Sequence, residues 1–223
     1  MMSAALSLKG FHKYTRSEDI LSAAFHAVGV FLSVAGTALL VTLSAIYSNA
    51  WAVVSCSIFG ASMITLYSAS TWYHAVKSDS MKRVLKKFDH ISIYYLIAGT
   101  YTPFMLACLR GALGWTVFGV IWGLALLGTF LKLFGNNING AKFWSVGLYL
   151  GMGWLVMIAI KPLLAVVPER GIFFLFMGGL LYSLGVIFYV WKSRKYTHAI
   201  WHLFVLGGTI MHFFAVLYSC VLV

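Results

Sequence analysis

The chain has 223 residues, of which 61% are hydrophobic and only 9% charged. So little charge cannot cover a soluble domain, and the composition is that of an all-α, polytopic membrane protein with no room for a separate soluble domain. A net charge of +11 would suit nucleic acid, but the Lys and Arg residues sit in short segments between apolar runs, where membrane topology accounts for them and nucleic acid is not expected as a partner.

Residues 1–16 read as a short basic tail, and 17–223 as a single transmembrane domain. Thr15-Arg16-Ser17-Glu18 fits the capping-box pattern and predicts a helix start. The first apolar run is about twice as long as a signal-peptide core and has no convincing cleavage site, so no cleavable signal is expected. Seven spans follow, near 21–45, 51–74, 89–109, 113–134, 143–160, 172–191 and 198–222. Each suits roughly 30 Å of hydrocarbon. Cys56, Cys108 and Cys220 are far apart and form no C-x-x-C, which argues against a thiolate metal site or a disulfide framework. Gly119-x-x-x-Gly123 and Gly147-x-x-x-Gly151 read as close helix packing. Of the 16 Lys and Arg, 13 fall in the tail and the second, fourth and sixth loops, and only Arg110, Lys161 and Arg170 fall on the other side of this topology. The positive-inside rule then puts the N-terminus in the cytoplasm and the C-terminus outside.

With spans and orientation in hand, the polar residues can be compared by depth. His198 and His202 open the seventh span, one helical turn apart and about 40° apart around the axis, so both rings can reach one metal ion. Ala199 stands where H-E-x-x-H proteases carry their Glu, so a general base must come from another span. His74 closes the second span and Asp89 opens the third, both at the cytoplasmic edge, with His26 about a turn and a half into the first. Four of the seven His thus gather in one layer with Asp89, and none lies near the outer edge. Such intramembrane clusters point to function. Three imidazoles with one open position are the ligand set of catalytic zinc, and copper, iron or nickel also accept imidazole. Two roles are open to Asp89: metal ligand, or general base toward the metal's water. Ser70, one turn before His74, suits a supporting or oxyanion role, or simply bonds its own helix backbone. His212 lies deeper and reads as a hydrogen-bonded core histidine. His90 points about 100° away from Asp89 and reads, with His12, as solvated or interfacial. Pro103 inside the third span either opens a cavity or only bends the helix.

Three blocks of residues carry a family resemblance that runs from about Ser17 to the C-terminus. They are Glu18 to His26; Ser70-x-x-x-His74 with Phe88-Asp89-His90 and Tyr94 through Ala98-Gly99-Thr100-Tyr101-Thr102-Pro103-Phe104; and His198-Ala199-Ile200-Trp201-His202 leading to His212-Phe213. In this order the chain resembles the bacterial hemolysin III family, within the wider superfamily of progestin and adiponectin receptors. Ser22 departs from the family's E-x-x-x-N-x-x-x-H pattern, where Asn is usual. The resemblance implies a seven-helix bundle with zinc near the cytoplasmic face. It also implies His74, His198 and His202 as ligands, Asp89 at the water on the metal, and Ser70 nearby. The superfamily is similar to alkaline ceramidases.

Three functions follow as expectations. The first is a zinc-dependent hydrolase with a membrane lipid amide or ester as substrate, the metal at headgroup depth and Asp89 handling the proton. The alternative is a sensor or receptor-like protein of membrane homeostasis in which zinc is structural. The third is a cytolytic protein, against which stands the absence of a polar stripe along any span.

Overall fold

The computed structural model describes residues 14–134 and 141–222, and of 141–143 the backbone alone. Seven helices are long and apolar enough to cross a membrane: α1 (Arg16–Tyr47), α2 (Ala50–Ala75), α3 (Asp79–Cys108), α4 (Ala112–Phe134), α5 (Trp144–Val166), α6 (Glu169–Val190) and α7 (Thr197–Val221). No strand occurs among the described residues. The expected tail lies outside them up to Lys13.

Local chemistry sets the helix ends. Thr15 caps α1 as the sequence predicts: its backbone N–H donates to Glu18 Oε2 at 2.9 Å, and its side chain accepts from the Glu18 N–H. The 32 residues of α1 span ~48 Å, more than the hydrocarbon needs, so the Glu18 turn reaches headgroup depth. Asn49 caps α2, its Oδ1 accepting from Trp51 and Ala52 at 2.9 and 3.2 Å, which makes the α1–α2 turn very short.

The third helix differs most from its predicted bounds, starting at Asp79 rather than near residue 89. Lys82, Arg83, Lys86 and Lys87 disguise this opening stretch as a loop, yet Lys82 is buried and pairs with Asp19 of α1. At its far end Pro103 supplies no N–H, and the helix widens into a π-type turn over Phe104–Cys108. A 3₁₀ stretch, Leu155–Ala159, interrupts α5. Tyr101 stitches that break: its hydroxyl donates to the Met152 carbonyl at 2.7 Å and accepts from the Val156 N–H at 2.7 Å. Backbone groups freed inside a membrane need such partners.

The most extensive pairings are α1 with α2, α6 with α7, and α2 with α3. Phe59, Met63, Tyr67, Tyr94 and Ile121 fill the core, while Phe31, Trp72, Phe130, Ile158 and Phe173 stand exposed on the outer surface. A soluble protein would not present such a surface. Close approach occurs at Gly29 and Gly128, where a Cβ would strike the Tyr67 and Tyr94 rings. It does not occur at the two G-x-x-x-G pairs: Gly119, Gly123, Gly147 and Gly151 all face open space, so the packing reading of those pairs is corrected.

A second correction concerns sulfur. Cys108 and Cys220, 112 positions apart, form a disulfide with Cα atoms 5.9 Å apart. The last turns of α3 and α7 bring them together, which wide spacing in sequence could not reveal. Ser48 also meets this end, donating to the Cys220 carbonyl at 3.0 Å. Cys56 remains a buried free thiol.

Candidate metal centre

At the opposite end from the disulfide, the last turn of α2 presents His74 and the first two turns of α7 present His198 and His202. Tyr196, just before α7, adopts a left-handed conformation at φ 66°, uncommon for a residue with a Cβ. Its N–H donates to Glu18 Oε1 at 2.8 Å, so α1 anchors the entry to α7.

The three imidazoles are buried and converge through their Nε2 atoms. His74 Nε2 lies 3.1 Å from His202 Nε2 and 3.3 Å from His198 Nε2. Tetrahedral zinc with Zn–N bonds of ~2.0–2.1 Å separates its ligand nitrogens by about 3.3 Å. The separations therefore suit a metal. The protonation pattern suits it as well: His74 Nδ1 faces Asp19 Oδ1 at 2.8 Å, and a carboxylate only accepts, so Nδ1 carries the hydrogen. With Nδ1 protonated, the neutral ring turns its Nε2 lone pair toward the other two histidines. His74, His198 and His202 thus form a group that could hold a metal ion.

Around this group lie buried polar atoms without protein partners: Ser70 Oγ, Ser22 Oγ and both ring nitrogens of His26. Ser70 does not bond its own helix backbone, unlike Thr71 beside it, which donates to the Tyr67 carbonyl at 2.7 Å. The His26 ring stands edge-on to His202, centroids 3.8 Å apart. From the outer side the Tyr14 ring stacks on His198 at 4.4 Å and 18°. Burial pushes the Tyr14 hydroxyl above its usual pKa, so it stays protonated.

Asp89 is buried and faces the same cavity as His26, His198 and His202. His90, expected at a solvated position, is instead buried against it. Its Nδ1 lies 2.7 Å from the Lys86 carbonyl and 3.3 Å from Asp89 Oδ2, so that nitrogen carries the hydrogen and Nε2 accepts from Tyr189 at 3.3 Å. α5 and α6 cover the face of α3 that the sequence left open, with Tyr149 donating to the His90 carbonyl at 2.9 Å.

The cavity measures about 140 Å³, many times the ~10–15 Å³ that one water needs. From the histidines it runs down between α3, α5, α6 and α7 past Leu96, Phe104 and Leu175, and its walls are overwhelmingly apolar. Tyr101 and Phe104, on either side of Pro103, both line it. His212 sits at the deep end, its Nε2 donating to the Leu175 carbonyl at 3.1 Å, in keeping with a core histidine.

A site of this kind, on seven spans, has known relatives. The family profile described as Haemolysin-III related matches residues 14–213. The chain belongs to that family. It is 47% identical over 208 residues to the Hemolysin-3 homolog of Bacillus subtilis (strain 168), covering 93% of this chain and 97% of the relative. It is 43% identical over 201 residues to Hemolysin-3 of Bacillus cereus, covering 90% and 91%. A more distant relative is the Monocyte to macrophage differentiation factor of Homo sapiens, 31% identical over 219 residues with 93% and 86% covered. The match begins at Tyr14 and so takes in the ring over His198 along with all three histidines. The protein is accordingly a multi-pass integral membrane protein of the hemolysin III family.

Two residues that reach this site, Asp19 and Lys82, were not singled out from sequence. An acid in the first turn of a helix reads as a partner of the helix dipole, and a Lys between spans reads as a topology signal.

Proposed function

We propose that this protein is a membrane-embedded zinc hydrolase acting on a lipid amide or ester. The observation that carries the reading is the convergence of three buried histidine Nε2 atoms at the head of an apolar cavity that Asp89 also faces. Zinc held by His74, His198 and His202 would supply Lewis-acid polarisation of a carbonyl and a water nucleophile at neutral pH. The chain's own residues do the rest. Asp89, backed by the His90 N–H, takes the proton from the attacking water and returns it to the leaving group. Ser70, buried beside Asp89, donates to the oxygen that gains charge. The apolar walls hold acyl chains and keep bulk water away.

We also place the histidine end at the cytoplasmic face, as the distribution of Lys and Arg favours. The Cys108–Cys220 disulfide lends independent support, because it would then lie on the oxidising side. Reporter fusions at Lys82 and Val223 should be active on opposite sides of the membrane; activity on the same side would overturn this orientation.

The same ligands tie α2 to α7, which favours the second reading, a receptor-like protein with structural zinc. Asp89→Asn separates the two. The amide keeps the shape but cannot accept a proton at neutral pH, so the variant should stay folded and zinc-loaded. Its lipid hydrolysis should fall by about 10²–10⁴. Undiminished hydrolysis would remove Asp89 from the role of base.

A further inference from the structure

The buried pair of Asp19 and Lys82 lies outside the three-histidine group and outside the proposed proton path. Asp19 sits in the first turn of α1, one residue after the capping Glu18, and its two oxygens serve different helices. Oδ1 accepts from His74 Nδ1 at 2.8 Å at the end of α2, and Oδ2 accepts from the Lys82 ammonium in the first turn of α3. All three side chains are nearly removed from solvent, with side-chain exposures of 0% for His74, 7% for Lys82 and 12% for Asp19. Lys82 also stands 5.6 Å from the centre of the Tyr73 ring, next in sequence to His74.

We propose that Asp19 is the positioning residue of the metal centre, fixing the tautomer and ring angle of His74, and that Lys82 acts through it by fixing the carboxylate. The inference rests on the metal reading above. Its physical basis is donor and acceptor counting. Both groups facing Asp19 are donors, and only a carboxylate offers each of them its own oxygen. A His ring whose Nδ1 hydrogen is held this way presents a more basic Nε2 in one orientation, and loss of such a partner typically costs about 10–100-fold in metal affinity. Among the described residues, His74 is the one of the three ligands whose other ring nitrogen faces a carboxylate. The pair also explains why α3 begins so far before its apolar run: those extra turns deliver Lys82 to α1.

Removing one member alone strands a buried charge, which can unfold the site for reasons unrelated to metal. The decisive variant is therefore the double replacement Asp19→Leu, Lys82→Met, which leaves no unpaired charge. Zinc affinity of the purified full-length protein, measured by competition with a chromogenic chelator, should fall about 10–100-fold in this variant while it remains monodisperse and helical. Lys82→Met alone should weaken zinc less. Cobalt loaded in place of zinc should show an altered visible spectrum in the double variant, since the His74 ring is no longer held. Parent-like zinc affinity and cobalt spectrum in the folded double variant would overturn the proposal and leave the pair a structural clamp. A parent protein that takes up no zinc would overturn the metal reading itself, and this proposal with it. If the double variant does not fold, Asp19→Asn with Lys82→Gln decides: it strands no charge and gives the His74 Nδ1–H only a neutral acceptor, so zinc affinity should still fall, and unchanged affinity there would also overturn the proposal.

Discussion

The two ends of the bundle are closed by different chemistry. At one end α3 and α7 are joined covalently through Cys108 and Cys220, with Ser48 from the α1–α2 turn seated on the Cys220 carbonyl. At the other, α2 and α7 meet through three imidazoles, and α1 joins both through Glu18 and Asp19. The covalent end has one fixed arrangement. Buried polar atoms unpaired by protein occur at both ends, on Ser55 and Ser219 at the covalent one, but more of them gather at the histidine end, on Ser22, His26, Ser70 and His202. An unmet buried polar group costs ~1–3 kcal/mol, so several at one place mark it as built around something the chain does not itself supply.

The hardest break is at the histidine end. His198→Ala with His202→Ala removes two of three ligands from α7, and metal analysis should find less than a tenth of the parent's zinc, with no lipid hydrolysis left. The Cys108–Cys220 link should persist, because it lies at the far end. Stoichiometric zinc in this variant would dissolve the contrast between the ends. Replacing both Cys108 and Cys220 with Ser tests the converse. A loop of 112 residues gives an entropic stabilisation of at most ~5 kcal/mol, and less where helices stay inserted when they separate. Thermal unfolding should come at lower temperature while zinc content holds; loss of zinc would mean that the two ends are coupled. The smallest effect is expected from His212→Ala, which removes one hydrogen bond to Leu175, worth about 1 kcal/mol. Zinc should be retained, and a metal-free His212→Ala protein would show that the ligand set extends deeper than His202.

The same contrast explains what could be read from the chain. Six of the seven spans were close to their observed bounds because apolar length alone dictates them. The exception, the opening of α3, failed because its basic residues look like a loop until Asp19 is placed against Lys82. His198 and His202 were legible through one-turn spacing and His74, like His26, through depth, while the family resemblance singled out His74 as the third ligand. Asp19 and the burial of His90 were not, because each depends on which helix lies alongside. The disulfide was illegible for the same reason: nothing near Cys108 announces Cys220.

The central claim is that the histidine end performs zinc-dependent hydrolysis on lipid. The most direct measurement is release of fatty acid from defined lipid amides and esters by the purified, zinc-loaded protein, before chelation, after it and after zinc is restored. The account predicts turnover of at least one such lipid, lost on chelation and recovered with zinc. Turnover that chelation leaves untouched, or a zinc-loaded protein that cleaves none of these lipids, would contradict it.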